Sequence, residues 1–168
     1  IVPDGARPVS EASRPAASPL AAYAGHLYPW KGVDVFIEAL ALAPDVRGLI
    51  IGGHHQEGDR ARVEASAKTL GLGDRLEITG MVWPAEVPRQ LARASILVLP
   101  NSPSVISERY TSPLKLFEYF AGGKAVITTP MPECEAFPEI EIAKDAAAFS
   151  EALVRARAVA GDAALARR

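Results

Sequence analysis

The 168 residues contain one cysteine, Cys134, so no internal disulfide can staple the fold. Long apolar runs are missing too: Pro, Gly or charge breaks every hydrophobic stretch well short of the roughly 20 residues that a membrane helix needs. The chain therefore reads as soluble. Nor is there a basic run. Eighteen Lys plus Arg stand against 20 Asp plus Glu, a formal net charge of −2, with no stripe of the kind that tracks a nucleic-acid backbone. Nucleic acid is not an expected partner. The opening residues IVPDGARP lack the basic-then-apolar layout of a signal peptide, so a cytoplasmic setting is expected. No G-x-S-x-G elbow and no G-x-x-x-x-G-K loop occurs, which leaves hydrolase and nucleotide triphosphatase readings without a motif. Gly71-Leu72-Gly73 precedes a strand candidate instead of following one, so it is no dinucleotide fingerprint.

What is present is the composition of one ordinary domain, 49% apolar and 23% charged. Residues 1–18, with Pro3, Pro8 and Pro15 among Ser, Ala and Arg, read as a linker, and residues 19–168 as the domain. Short apolar runs then alternate with amphipathic stretches. AAYAG (21–25), GLIIGG (48–53), RLEITG (75–80), SILVLP (95–100), AVITTP (125–130) and EIEIA (139–143) are strand candidates. Val33, Phe36, Ile37 and Leu40 recur at helical spacing before Pro44. Further helices are expected over 59–70, 86–94, from Ser112 to Gly122-Gly123, and over 146–160. Ser112 suits an N-cap and Pro113 the first helical turn. Strand and helix in alternation predict an α/β, Rossmann-like open parallel sheet of about six strands with helices on both faces. In such sheets ligands bind outside the carboxyl ends of the strands.

Two loops at that edge carry chemistry. Gly25-His26-Leu27-Tyr28-Pro29-Trp30-Lys31-Gly32 offers an imidazole, two aromatics and an ammonium where the next helix begins, a place for an anion. The alternative is a solvated Lys31 beside a packing Trp30. In Tyr110-Thr111-Ser112-Pro113-Leu114-Lys115, the amides of Leu114 and Lys115 fall in the first turn of a helix, as in phosphate-cradling termini, with Glu118 one turn on. The alternative there is a capped helix with a Lys115–Glu118 pair. His54-His55 lack a further ligand at metal spacing, and Cys134 lacks an adjacent base in sequence.

The segments YAGHLYPWKGVDVFIEAL, LIIGGHHQEG, RLEITGMVWPAEVPRQLARASILVLPN and SPLKLFEYFAGGKAVITT, in that order, resemble the C-terminal domain of retaining GT-B glycosyltransferases. The group is often called family 4 or group 1, and the resemblance spans roughly residues 20–145. It implies a site for a nucleoside diphosphate sugar, the substrate, with neither a cofactor nor a metal. Lys31 matches the lysine that neutralises the donor diphosphate. Gly25 and His26 match the Gly-Arg of the same loop, His26 standing where Arg is common. Thr111, Ser112, Leu114 and Lys115 match the phosphate-binding helix start, and Met81 and Val82 the strip beside the base. Glu118 matches the second Glu of the family's Glu, seven residues, Glu motif, which holds the ribose. The first Glu of that motif falls on Tyr110, while Glu108 lies two residues too early. Lys31 and Glu118 are the residues the resemblance marks as catalytic, in transfer of a hexosyl group to an acceptor hydroxyl for polysaccharide or glycoconjugate synthesis. It also implies an N-terminal acceptor domain as partner, without which this chain would transfer nothing and through which alone a membrane would be met. Two other classes compete. A sugar-nucleotide epimerase would need Glu108 or His26 aimed at the sugar ring, and a non-catalytic binding module would merely keep the sheet.

Overall fold

The computed structural model describes residues 19–53, 58–102, 115, 116, 119, 123–132 and 134–159. The elements follow in chain order as β1 Leu20–Ala24, α1 Val33–Leu42, β2 Arg47–Ile51, α2 Gly58–Thr69 and β3 Leu76–Ile78. Then come α3 Val87–Ala92, β4 Ile96–Leu99, β5 Ala125–Thr128, β6 Ile140–Ile142 and α4 Ala146–Val159. Lys115, Leu116 and Tyr119 are helical as well. The proposed linker, residues 1–18, lies outside the described residues.

All six strands are parallel, in the order β3-β2-β1-β4-β5-β6. Alternation along each strand sends successive side chains to opposite faces. Ala21 and Tyr23 of β1 therefore join Phe36, Ile37, Val63, Phe149 and Leu153 in one apolar cluster, under α1, α2 and α4. Ala22 and Ala24 join Leu97, Leu99, Leu116 and Tyr119 in a second, on the side where Val87 and Leu91 of α3 pack. The central strands are buried on both faces, which is why they read as unbroken apolar runs.

Every strand ends short of its sequence pattern, AVITTP at Thr128 and EIEIA at Ile142 among them, and two ends show why. RLEITG predicts six residues of strand, yet β3 stops after Ile78, and Gly80 instead makes an isolated antiparallel bridge with Gly52. SILVLP shortens to Ile96–Leu99, because Pro100 has no amide hydrogen to extend a ladder. Helix α1 stops at Leu42, ahead of Pro44, and Arg75 caps its exposed carbonyls by donating to Leu40 O (2.9 Å) and Ala43 O (3.2 Å). No helix among the described residues is long and apolar enough to cross a membrane.

The strand order fixes where a ligand can sit. From β1 the chain steps outward to β2 and β3, then returns to place β4 on the other side of β1. The crevice outside the carboxyl ends of β1 and β4 is the switch point of the sheet.

Candidate functional site

The β1–α1 loop at this crevice is built from the strand outward. Buried Tyr23 donates its hydroxyl to His26 O at 2.7 Å, and burial, with Tyr119 beside it, pushes the phenol well above its ordinary pKa, so it remains a donor. On the same strand end, Tyr119 accepts the Ala24 amide (3.3 Å), and the Lys115 ammonium donates to the Ala24 carbonyl. Lys115 and Tyr119 are thus anchored to the last residue of β1, which brings Lys115 and Gly25 together.

Beyond Leu27 the loop closes into a 3₁₀ turn, Pro29–Lys31. The Lys31 amide donates to Tyr28 O at 2.8 Å and that of Gly32 to Pro29 O at 3.0 Å. Gly32 has φ 66° and ψ 20°, the left-handed region that glycine enters without strain, and it is also the N-cap of α1. A Cβ at Gly32 would overlap the Pro100 carbonyl oxygen and lie 2.8 Å from Ser102 N. The β4 loop packs that closely: Ser102 donates its amide to Trp30 O (3.1 Å) and its hydroxyl to Pro29 O (3.4 Å). Both sides of the switch point are therefore stitched together at the lysine turn.

Lys31 is half-buried, with its ammonium nitrogen 4.1 Å from the centre of the Trp30 ring. Burial lowers its pKa below the ordinary lysine value, because the charge has lost part of its water shell. Among the described residues no carboxylate lies within ion-pair distance of it. An anion arriving there would restore the lost stabilisation. The solvated alternative does not describe this lysine, which is half-buried with the Trp30 ring packed against the ammonium itself. The rings of His26 and Tyr28 stack at 5.1 Å and 9°, and those of Tyr28 and Trp30 at 6.0 Å and 17°. His26 is exposed at the outer end of this column.

Arg62 of α2 braces the loop from below. It donates to Leu27 O at 2.8 Å, pairs with Asp34 in the first turn of α1 at 2.5 Å, and reaches Asp59 at 3.3 Å. Its charge is fully used in holding α1, α2 and the loop in register, and sequence spacing gave no sign of it.

Toward β3 the backbones of the edge approach one another at glycines. Gly25 donates its amide to Ile51 O (2.9 Å), a Cβ at Gly52 (φ 134°) would overlap the Gly25 carbonyl oxygen, and Gly52 bridges to Gly80. The three glycines join the ends of β1, β2 and β3, with the Tyr23 hydroxyl and the Lys115 ammonium close against Gly25 and the Arg60 guanidinium against Gly80. Past them, Met81 is exposed, Val82 is half-buried against the second apolar cluster, and Trp83 is 82% exposed.

Gly25, His26, Lys31, Met81, Val82 and Lys115 thus all lie at the carboxyl edge. Tyr110, Thr111, Ser112, Leu114 and Glu118 lie outside the described residues, as do Glu108, His54 and His55. Among the described residues, no three His, Cys, Asp or Glu gather closely enough to hold a metal ion.

Comparison with known proteins adds the following. A family model described as "Glycosyl transferases group 1" matches residues 18–158. A D-inositol 3-phosphate glycosyltransferase of Segniliparus rotundus is 32% identical over 89 residues, covering 48% of this chain and 19% of its own length. The C-terminal domain of a group 1 glycosyl transferase, LpcC of Francisella tularensis, superposes with a TM-score of 0.65 at 20% identity, covering 95% of this chain and 87% of that one. Anabaena HepE, solved with UDP and glucose, superposes with a TM-score of 0.68 at 17% identity over 85% of this chain and 43% of that one. The chain therefore spans about a fifth of the curated relative and less than half of HepE.

Proposed function

The chain belongs to the group 1 glycosyl transferases, and from that premise we propose that it is the nucleotide-sugar-binding domain of a glycosyltransferase. It would hold a nucleoside diphosphate sugar while a hexosyl group passes, with retention at the anomeric carbon, to an acceptor hydroxyl. The observation that carries this reading is the half-buried Lys31 ammonium, without a carboxylate partner among the described residues, at the point where the β1 and β4 loops meet. HepE, of the same fold, was solved with UDP and glucose, which supports a nucleotide sugar as the ligand class.

The chemistry follows from charge. As the bond to the diphosphate breaks, negative charge grows on the leaving oxygens and positive charge on the sugar ring. A fixed ammonium beside the diphosphate favours that separation more than it favours the intact donor, which is the condition for acceleration. Lys31 takes this role. By the family resemblance, Thr111, Ser112, Leu114 and Lys115 would complete the diphosphate cradle, and Glu118 would accept the ribose hydroxyls. Gly25 and His26 line the same loop, with Tyr110 beside the sugar and Met81 and Val82 beside the base. The imidazole of His26 cannot fork two hydrogen bonds to one phosphate as a guanidinium would. No cofactor or metal enters the scheme. The acceptor and its binding domain are proposed to lie in another part of the protein, and this chain alone is expected to bind donor without transferring sugar. The proposed setting is the cytoplasm, and the pathway polysaccharide or glycoconjugate synthesis.

Titration calorimetry of the 168-residue chain with UDP, GDP, ADP and CDP is the test. One of them should bind with measurable heat, and silence from all four at millimolar concentration would overturn the reading.

A further inference from the structure

We propose that Trp30 is a positioning residue that aims the Lys31 ammonium at the donor diphosphate, the indole face serving as a partner that leaves the charge available. The direction of aim rests on the function proposed above. The pairing itself does not.

A lysine side chain has four rotatable bonds and ordinarily spreads over many rotamers, so a binding lysine must be ordered by the ligand it meets. Here much of that ordering precedes the ligand. Pro29 restricts the turn, and the bonds from Lys31 N to Tyr28 O (2.8 Å), Gly32 N to Pro29 O (3.0 Å) and Ser102 N to Trp30 O (3.1 Å) fix its backbone. The indole is fixed in turn by its neighbours, as Trp30 stacks on Tyr28 at 6.0 Å and Tyr28 on His26 at 5.1 Å. Against that column the Lys31 nitrogen rests 4.1 Å from the ring centre.

The choice of partner matters chemically. A carboxylate at this place would hold the ammonium as firmly but cancel its charge, and an incoming diphosphate would have to displace it. An aromatic face attracts a cation through its quadrupole and carries no net charge. Lys31 is thereby oriented while its full positive charge still faces an anion.

The test uses Trp30→Leu, Trp30→Phe, Lys31→Ala and the double variant Trp30→Leu/Lys31→Ala, all in the 168-residue chain. The first readout needs no donor. The terminal methylene protons of Lys31, assigned by their loss in Lys31→Ala, should be shifted upfield in the NMR spectrum by the indole ring current. They should return to the ordinary lysine position in Trp30→Leu and stay displaced in Trp30→Phe. The second readout is affinity for UDP and GDP. Trp30→Leu should weaken binding about three- to tenfold, the range expected for one partly desolvated cation–π contact, and Trp30→Phe by less. In the Lys31→Ala background, Trp30→Leu should have no further effect.

Three results would overturn the proposal: ordinary methylene shifts in the unaltered chain, unchanged affinity in Trp30→Leu, or an equal loss with and without Lys31, which would mean that the indole touches the nucleotide itself. If the methylenes are displaced but neither UDP nor GDP binds, the pairing stands, affinity is read with ADP and CDP instead, and silence from all four overturns the donor reading alone. Should Trp30→Leu not fold, the Phe variant still carries the comparison, since it keeps a ring at the same place.

Discussion

Replacing Gly32 by alanine should lower the stability of the chain by about 2–6 kcal/mol, the sum of two independent costs. A residue with a Cβ held in the left-handed region loses about 1–3 kcal/mol, and overpacking that only a backbone shift can relieve loses about as much again. Both apply at Gly32, with φ 66° and a Cβ that would overlap the Pro100 carbonyl oxygen. That neighbour is backbone, so no rotamer change makes room. Gly71 supplies the control. Its φ of +68° is nearly the same, but nothing lies within 4 Å of a Cβ there, so Gly71→Ala should show the conformational cost alone. Thermal unfolding followed by circular dichroism should place Gly32→Ala on the order of 10 °C below the unaltered chain, with Gly71→Ala in between. Equal melting temperatures for the two variants would contradict the close approach of the β1 and β4 loops. The consequence reaches the site, because the strained turn is the one that carries Lys31 and receives the amide of Ser102.

Lys31→Ala should leave folding nearly unchanged and lower kcat/KM for glycosyl transfer by about 10² to 10³, in the protein that also supplies the acceptor site. That factor corresponds to the roughly 3–4 kcal/mol lost when one preorganised charge or donor is removed from a developing anion. The side chain contributes little to the core, so stability and rate separate cleanly. Lys31 is half-buried and already poised on Trp30, which argues for the upper part of the range. A loss below fivefold with an unchanged melting temperature would remove Lys31 from the role proposed here.

Much of the architecture was legible in the sequence because it is local. Periodicity at Val33, Phe36, Ile37 and Leu40 marks the buried face of α1, and the unbroken run at Ile96–Leu99 marks a strand covered on both sides. Parallel strands joined by helices then restrict the topology, and the topology selects the edge where ligands gather. Pairings across the chain were not legible. Arg62 reaches Asp34 and Leu27 over 28 and 35 residues, and Lys115 reaches Ala24 over 91. No local spacing encodes such contacts. Met81 and Val82 illustrate a finer limit, since period-2 patterning does not foretell that β3 ends at Ile78 and turns through Gly80. The stacking of His26, Tyr28 and Trp30 was not legible either, since the loop is no strand and passes into the 3₁₀ turn Pro29–Lys31, where no simple period places side chains on one side. Glu118 and the helix start at Ser112 rest on the capping pattern and the family resemblance, and lie outside the described residues.

The central claim is that the crevice between the β1 and β4 loops clasps the diphosphate of a nucleotide sugar. Its most direct test is a crystal structure of the chain soaked with UDP or GDP. The account predicts phosphate oxygens within hydrogen-bond reach of the Lys31 ammonium, at the carboxyl edge beside Gly25 and Lys115. Nucleotide bound on another face of the sheet, or phosphates that leave Lys31 resting on Trp30 with no contact, would contradict it.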